Sequence, residues 1–197
     1  DGIFLYGTLT VFEAFGVWHG GCMSEARKTF WDGVRAEIPL LVGVFPFGMI
    51  YGALALNAGL STLASQMMSS IVFAGAAQFV TAQLVSDAAP GLVIILTIAV
   101  VNLRHMLYSA SLAPYLKNLS LKWKVVLSYL LTDEAYAPTA LKYEETGVKP
   151  FSHWFLLGAG FILWTTWQVS TALGIFLGTA IPDTWQLDFA LPLTFIA

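Results

Sequence analysis

The chain has 197 residues, of which 57% are hydrophobic and only 11% charged, against about 25% charged in a soluble domain, so it cannot cover itself with polar surface. Its net charge of −3 argues against nucleic acid as a partner, and a single cysteine, Cys22, excludes an internal disulfide framework. Several runs of about 20 apolar residues are each long enough to cross a hydrocarbon core of roughly 30 Å as helices. They are continuous, whereas a transmembrane barrel needs alternating segments of about 10 residues. The expected fold is an all-α integral membrane protein, a bundle of about five to seven transmembrane helices with at least one broken or re-entrant segment.

Residues 1–29 read as an amino-terminal extension and cytoplasmic flank, and residues 30–197 as one transmembrane domain. Ile3 to Val17 is apolar but lacks a basic flank and contains Glu13, unlike a signal peptide. Met23 opens M-S-E-A-R-K, in the manner of a natural start, so the preceding residues are expected to come from an upstream start or an appended sequence.

The first hydrophobic run, Ile38 to Leu60, contains Pro39 and Pro46. Proline has no N–H for the carbonyl four residues back, so a kink or break is expected. The freed carbonyls either line a substrate path or merely accompany helix packing. Gly48 and Gly52 form a G-x-x-x-G pair that permits close helix approach. The second run, about Thr62 to Val85, surrounds Gln78 with small residues, which suits an interhelical hydrogen bond or a contact to a polar ligand group.

The third run, Gly91 to Leu116, carries Asn102, Arg104 and His105 in its middle and Pro114 near its end. Arginine at the centre of a bilayer helix costs about 3 kcal/mol on insertion scales, so it persists only beside a partner, a cavity or the interface. The candidates to answer it are Asp133 and Glu134, in the fourth run, Trp123 to Tyr143, which also holds Pro138 as a further expected break. Neighbouring helix positions differ by about 100°, which favours Asp133 over Glu134 as the cavity-facing carboxylate. A purely structural ion pair is the alternative.

Positive charge gives a parity argument. Arg27, Lys28 and Arg35 on one side, and Lys117, Lys122 and Lys124 on the other, both ask for the cytoplasm. Three runs separate them, and an odd number of crossings cannot satisfy both. At least one run is therefore expected not to cross; the third, returning near Asn102 to His105, is the first choice, and the first run the second. The fifth run, Trp154 to Ile181, carries a second close-packing pair, Gly174 and Gly178, and is long enough to need tilt. A last apolar stretch begins near Leu187, so the domain is expected to continue past Ala197. Ala36–Leu41 and Phe189–Thr194 hint at an internal repeat with Pro39 and Pro192 in matching places.

With these motifs in hand, the sequence resembles the AzlC family of branched-chain amino-acid permeases, the large subunit of a two-component bacterial exporter. The resemblance runs from about Phe30 to Ala197 through G-V-R-A-E-I-P-L-L-V-G-V-F-P-F-G, F-A-G-A-A-Q-F, N-L-R-H-M-L-Y-S-A-S-L-A-P-Y, T-D-E-A-Y and L-P-L-T-F-I-A. It implies export of valine, leucine, isoleucine or related apolar amino acids across a bacterial inner membrane, with a small membrane partner resembling AzlD. For such a zwitterion, Arg104 or the end of a broken helix near Asn102 could hold the carboxylate. Asp133, Gln78 or freed carbonyls could take the ammonium, and Phe45, Phe47, Phe73 and Phe79 the side chain. No G-x-x-x-x-G-K-[ST] pattern occurs, so gradient coupling through His105, Asp133 or Glu134 is expected. Neither a metal site, a cofactor nor an enzymatic role is expected. A channel or a structural assembly subunit stays open as the alternative.

Overall fold

The computed structural model describes residues 6–147 and 149–178, with side chains from residue 23 onward. The regular elements among them are helices: α1 (Tyr6–Asn57), α2 (Thr62–Ile71), α3 (Gly75–Ser86), α4 (Gly91–Val101), α5 (Leu103–Leu116), α6 (Leu121–Leu130), α7 (Asp133–Thr146) and α8 (His153–Gly178). The all-α membrane class stands, and the chain is a multi-pass membrane protein. Three stretches are long and apolar enough to span: Met23–Asn57 of α1, Gly91–Leu116 across α4 and α5, and His153–Gly178, which is α8.

The spine of the bundle is α1 against α8. Small residues bring the two backbones into contact at both ends. A Cβ on Gly33 would lie 2.1 Å from the Phe155 carbonyl oxygen, and one on Gly158 2.0 Å from that of Phe30. Farther along, a Cβ on Gly48 would meet Ser170 Oγ at 1.9 Å, one on Gly52 the Thr171 carbonyl oxygen at 2.5 Å, and one on Gly174 that of Met49 at 2.1 Å. Gly178 faces Ala53. Residue numbers rise together along both helices, so they run parallel. Between helices in lipid, tight packing replaces the hydrophobic drive available in water, and small residues make it possible.

The second and fourth runs double back inside the membrane. Gln78 Nε2 donates to Ser69 Oγ at 2.8 Å, yet nine residues of straight helix would separate them by about 13 Å. The turn is made at Val72–Ala74, where Phe73 takes φ 42°, a left-handed conformation unusual for a bulky side chain. Thus α2 descends from the α1 end and α3 returns, with Phe79 beside both Phe47 and Tyr51. The α6–α7 pair enters from the opposite side. Trp123 near its start lies 4.7 Å from the His153 ring, and Tyr143 near its end donates to the Ser152 carbonyl at 3.0 Å. Leu130, at the far end of α6, packs on Gly160, well inside α8. Two re-entrant pairs therefore point at each other from opposite sides, and Phe73 meets Tyr129 where their tips approach.

Several expectations are corrected here. The third run is interrupted, but only at Asn102, whose φ −82° and ψ −3° keep the chain right-handed; α4 and α5 continue rather than return. The parity conflict is resolved by the second run instead. With α1 and α4–α5 crossing and α2–α3 returning, the 117–124 lysines sit on the same side as Arg27 and Lys28. Lys142 and Lys149 join them beside the start of α8, so every basic residue except Arg104 marks one end of the bundle, the cytoplasmic end by charge bias. The five hydrophobic runs are three spans and two re-entrant pairs.

The four prolines do not end helices either. Pro39 and Pro46 lie inside α1, Pro114 inside α5 and Pro138 inside α7. A proline removes one hydrogen bond, which a packed helix absorbs; reversing direction takes non-helical backbone, found instead at Phe73 and at Leu131–Thr132. The repeat partner expected at residues 189–194 and the closing apolar stretch lie outside the described residues.

Candidate functional site

The tips of the two re-entrant pairs border a cavity of about 330 Å³ at mid-depth. Its walls come from Leu40, Gly43, Val44 and Phe47 of α1, Phe73, Gly75, Ala76 and Phe79 around the first tip, and Thr132, Asp133, Glu134 and Ala137 around the second; Arg104, Leu163 and Trp167 complete it. The α1 residues recur at helical spacing, so one stripe of that helix forms one wall.

Both returning half-helices begin at this cavity. The Ala74 cap of α3 offers no side-chain acceptor, and Gly75 and Ala76 of the first turn line the space. Thr132 caps α7, its Oγ1 accepting from Ala135 N at 3.4 Å. Helix N-termini each carry about half a positive charge, so the cavity receives two positive dipole ends and a guanidinium. Asp133 and Glu134, in the first turn of α7, supply the opposite sign.

Arg104 and Asp133 meet. Arg104 Nη1 donates to Asp133 Oδ2 at 3.0 Å, the two side chains being 26% and 39% exposed, so the pair borders open space rather than packed core. Arg104 Nε–H is buried and has no acceptor among the described residues. Asp133 and Glu134 both line the cavity from the first turn of α7, and Asp133 is the one paired with Arg104.

Other predicted residues lie elsewhere. Gln78 is fully buried behind the wall: it donates to Ser69 and accepts from Trp167 Nε1 at 3.0 Å. His105 and Asn102 mark the α4–α5 interruption, with His105 Nδ1 3.2 Å from the Asn102 carbonyl oxygen and the His105 ring edge-on to Tyr108; neither lines the cavity. Phe47, Phe73 and Phe79 line it, whereas Phe45 is exposed on the outer face of α1. No cluster of three or more metal-ligating side chains occurs among the described residues.

Sequence reading passed over three participants. Trp167 stacks on Tyr51, 6.3 Å and 17° apart, and joins the cavity wall to the Gln78 joint. Thr132 lies inside the fourth hydrophobic run, yet a threonine followed by two acids is a helix-start signal, and it caps α7. Glu37 stands just before the first hydrophobic run, and it is completely buried.

A second cavity, about 340 Å³, opens at the cytoplasmic end between α5 and α6, from Lys117 and Lys124 inward to Leu131. Its composition is mostly aliphatic, whereas the tip cavity holds both signs of charge. The Leu131–Thr132 turn lies between the two.

Comparison with known proteins places this architecture. The AzlC protein family model matches residues 39–181. The inner membrane protein YgaZ of Escherichia coli is 29% identical over 180 residues, 88% of this chain and 73% of the relative. An uncharacterized membrane protein of Archaeoglobus fulgidus is 30% identical over 152 residues, 77% of this chain and 64% of its own. The branched-chain amino acid transport protein AzlC of Bacillus subtilis is 25% identical over 175 residues, 86% of this chain and 68% of its own. No solved structure matches. With the family model covering most of its spans and both re-entrant tips, the chain belongs to the AzlC family of membrane transport proteins.

Proposed function

We propose that this chain carries branched-chain or similarly apolar amino acids across a bacterial inner membrane, as a gradient-driven exporter acting with a small AzlD-like membrane subunit. The observation that carries the reading is the tip cavity, which offers a zwitterion three different surfaces at once. The amino-terminal turn of α3, with the unpartnered Arg104 Nε–H, suits a carboxylate. Glu134 and Asp133 suit an ammonium. Phe47, Phe73, Phe79 and Val44 provide an apolar wall for an aliphatic side chain, in a space at the small end of ligand cavities, roughly 300–1,000 Å³. The related Bacillus protein bears a branched-chain amino acid transport name, which supports the substrate class.

Transport then follows from the opposed tips. The α2–α3 turn closes the cavity from one side and the α6–α7 turn from the other. Export from the cytoplasm brings substrate through the aliphatic cavity, past Leu131, to the charged one. The test is valine flux in proteoliposomes holding the full-length protein and its partner subunit. Saturable valine flux is expected, with glycine, which lacks a side chain to fill the apolar wall, carried much more slowly. Equal flux of valine, glycine and unrelated solutes would instead indicate a pore.

A further inference from the structure

Glu37 has no role in the substrate cavity, yet it is placed directly behind it. Its side chain is completely buried, and neither carboxyl oxygen has a hydrogen-bond partner among the described residues. It shares the α1 stripe of Leu40, Val44 and Phe47, one helical turn short of the cavity-lining Leu40. Burying an unpaired ionised carboxylate is so unfavourable that such a group takes up a proton instead.

The surroundings offer it no cation. On α1 the nearest base, Arg35, is largely exposed and 3.7 Å from Asp32. Tyr51, farther along, donates to the Ser65 carbonyl. The packed helices α2 and α3 contain no titratable side chain, and α8 contains only His153, held between Trp123 and Trp154. On α7, Asp133 is bonded to Arg104, Tyr136 to Ser111 and Tyr143 to Ser152. Lys142, Glu144 and Glu145 stand in its last turns, toward the cytoplasm. On the cavity wall one turn beyond Glu37, Leu40 is joined by Glu134, another acid.

We propose that Glu37 is a proton-binding site that exchanges its proton with Glu134, making the two carboxyls one relay between the cytoplasmic half of α1 and the substrate cavity. The exchange balances simply: the Glu37 acid gives up one proton, the Glu134 carboxylate takes it, and one negative charge moves the other way. A substrate ammonium beside Glu134 favours the ionised form there and returns the proton to Glu37; a vacated cavity removes that bias and lets the proton pass to Glu134. The coupling to substrate rests on the amino-acid reading above, whereas the proton site itself does not.

Two measurements on the full-length protein in lipid separate these claims. Infrared difference spectra between acidic and alkaline buffer are expected to show a protonated carboxyl band that Glu37→Gln removes and that substitution of the exposed Glu25 leaves in place. A band unchanged by Glu37→Gln would overturn the site. In proteoliposomes, Glu37→Gln is expected to keep valine counterflow at equal pH within about twofold, while flux driven by a pH gradient falls about a hundredfold, the lower end of what a positioned proton-transfer group contributes. Glu37→Asp is expected to restore part of the driven flux. Full gradient-driven flux in Glu37→Gln would overturn the relay. Absence of valine counterflow in the parent would sink the amino-acid reading, leaving the infrared band to judge Glu37.

Discussion

The two re-entrant pairs reach the same cavity by similar geometry, but only one of them brings charge to it. The α2–α3 tip is sewn to α8 by neutral groups. Gln66 donates to Gln168 Oε1 at 2.9 Å and Ser70 to the same atom at 2.8 Å, Gln168 Nε2 donates to the Ser69 carbonyl at 3.0 Å, and the Ser69 and Thr171 hydroxyls are 2.9 Å apart. The α6–α7 tip shares neutral bonds of this kind, Trp164 Nε1 donating to the Tyr129 hydroxyl at 2.7 Å and Tyr129 to the Ser70 carbonyl, and adds a half-exposed ion pair, Arg104–Asp133, and a cavity-facing Glu134. Neutral hydrogen bonds hold a geometry without responding to what occupies the cavity. Charges respond. The comparison therefore assigns the first pair to the fixed wall and the second to the part that senses substrate and protons.

The strongest way to break this comparison is at Arg104. Arg104→Gln leaves Asp133 without its cation and is expected to cut valine flux about a hundredfold. Its effect on stability should stay near 1–3 kcal/mol, below the 3–5 typical of a fully buried pair, because these side chains are partly open. Asp133→Asn should match it, and the double variant should be no worse than either single one. Flux at parent level in both single variants, with folding intact, would falsify the charged tip as the working one.

A smaller effect sharpens the other half. Gln78→Leu is expected to cost about 1–2 kcal/mol by stranding Trp167 Nε1–H, read as a lower thermal midpoint, while the KM for valine moves by less than about twofold. A large KM change with normal stability would instead bring Gln78 into contact with substrate. Smallest of all, Ser69→Ala should remove roughly 0.6 kcal/mol, the average for a hydrogen bond inside a membrane protein, with no change in the pH dependence of flux. Loss of that dependence would mean that the neutral tip also senses protons.

How far the sequence foretells this arrangement differs between its parts. Run length alone separates a membrane protein from a soluble one, and a guanidinium at membrane depth demands an acid, which ties Arg104 to Asp133 before any coordinates. The re-entrant turns are harder to see. V-F-A-G and L-L-T-D lie inside runs as apolar as a true span, and proline, the usual breaker, sits where the helices continue. Charge parity requires a returning segment without naming it; the polar cluster makes the third run stand out, whereas the turn is made at Phe73 by backbone conformation. Glu37 is illegible in the sequence because an acid close to basic residues looks solvated, and only tertiary packing buries it.

The direct backbone contact between α1 and α8 has a mechanical consequence. Where no side chain intervenes there is no soft layer to slide on, so these two parallel helices behave as one stiff post crossing the membrane. Any rocking that exposes the cavity first to one face and then to the other must be carried by the charged tip and by α4–α5, pivoting around a post that stays still.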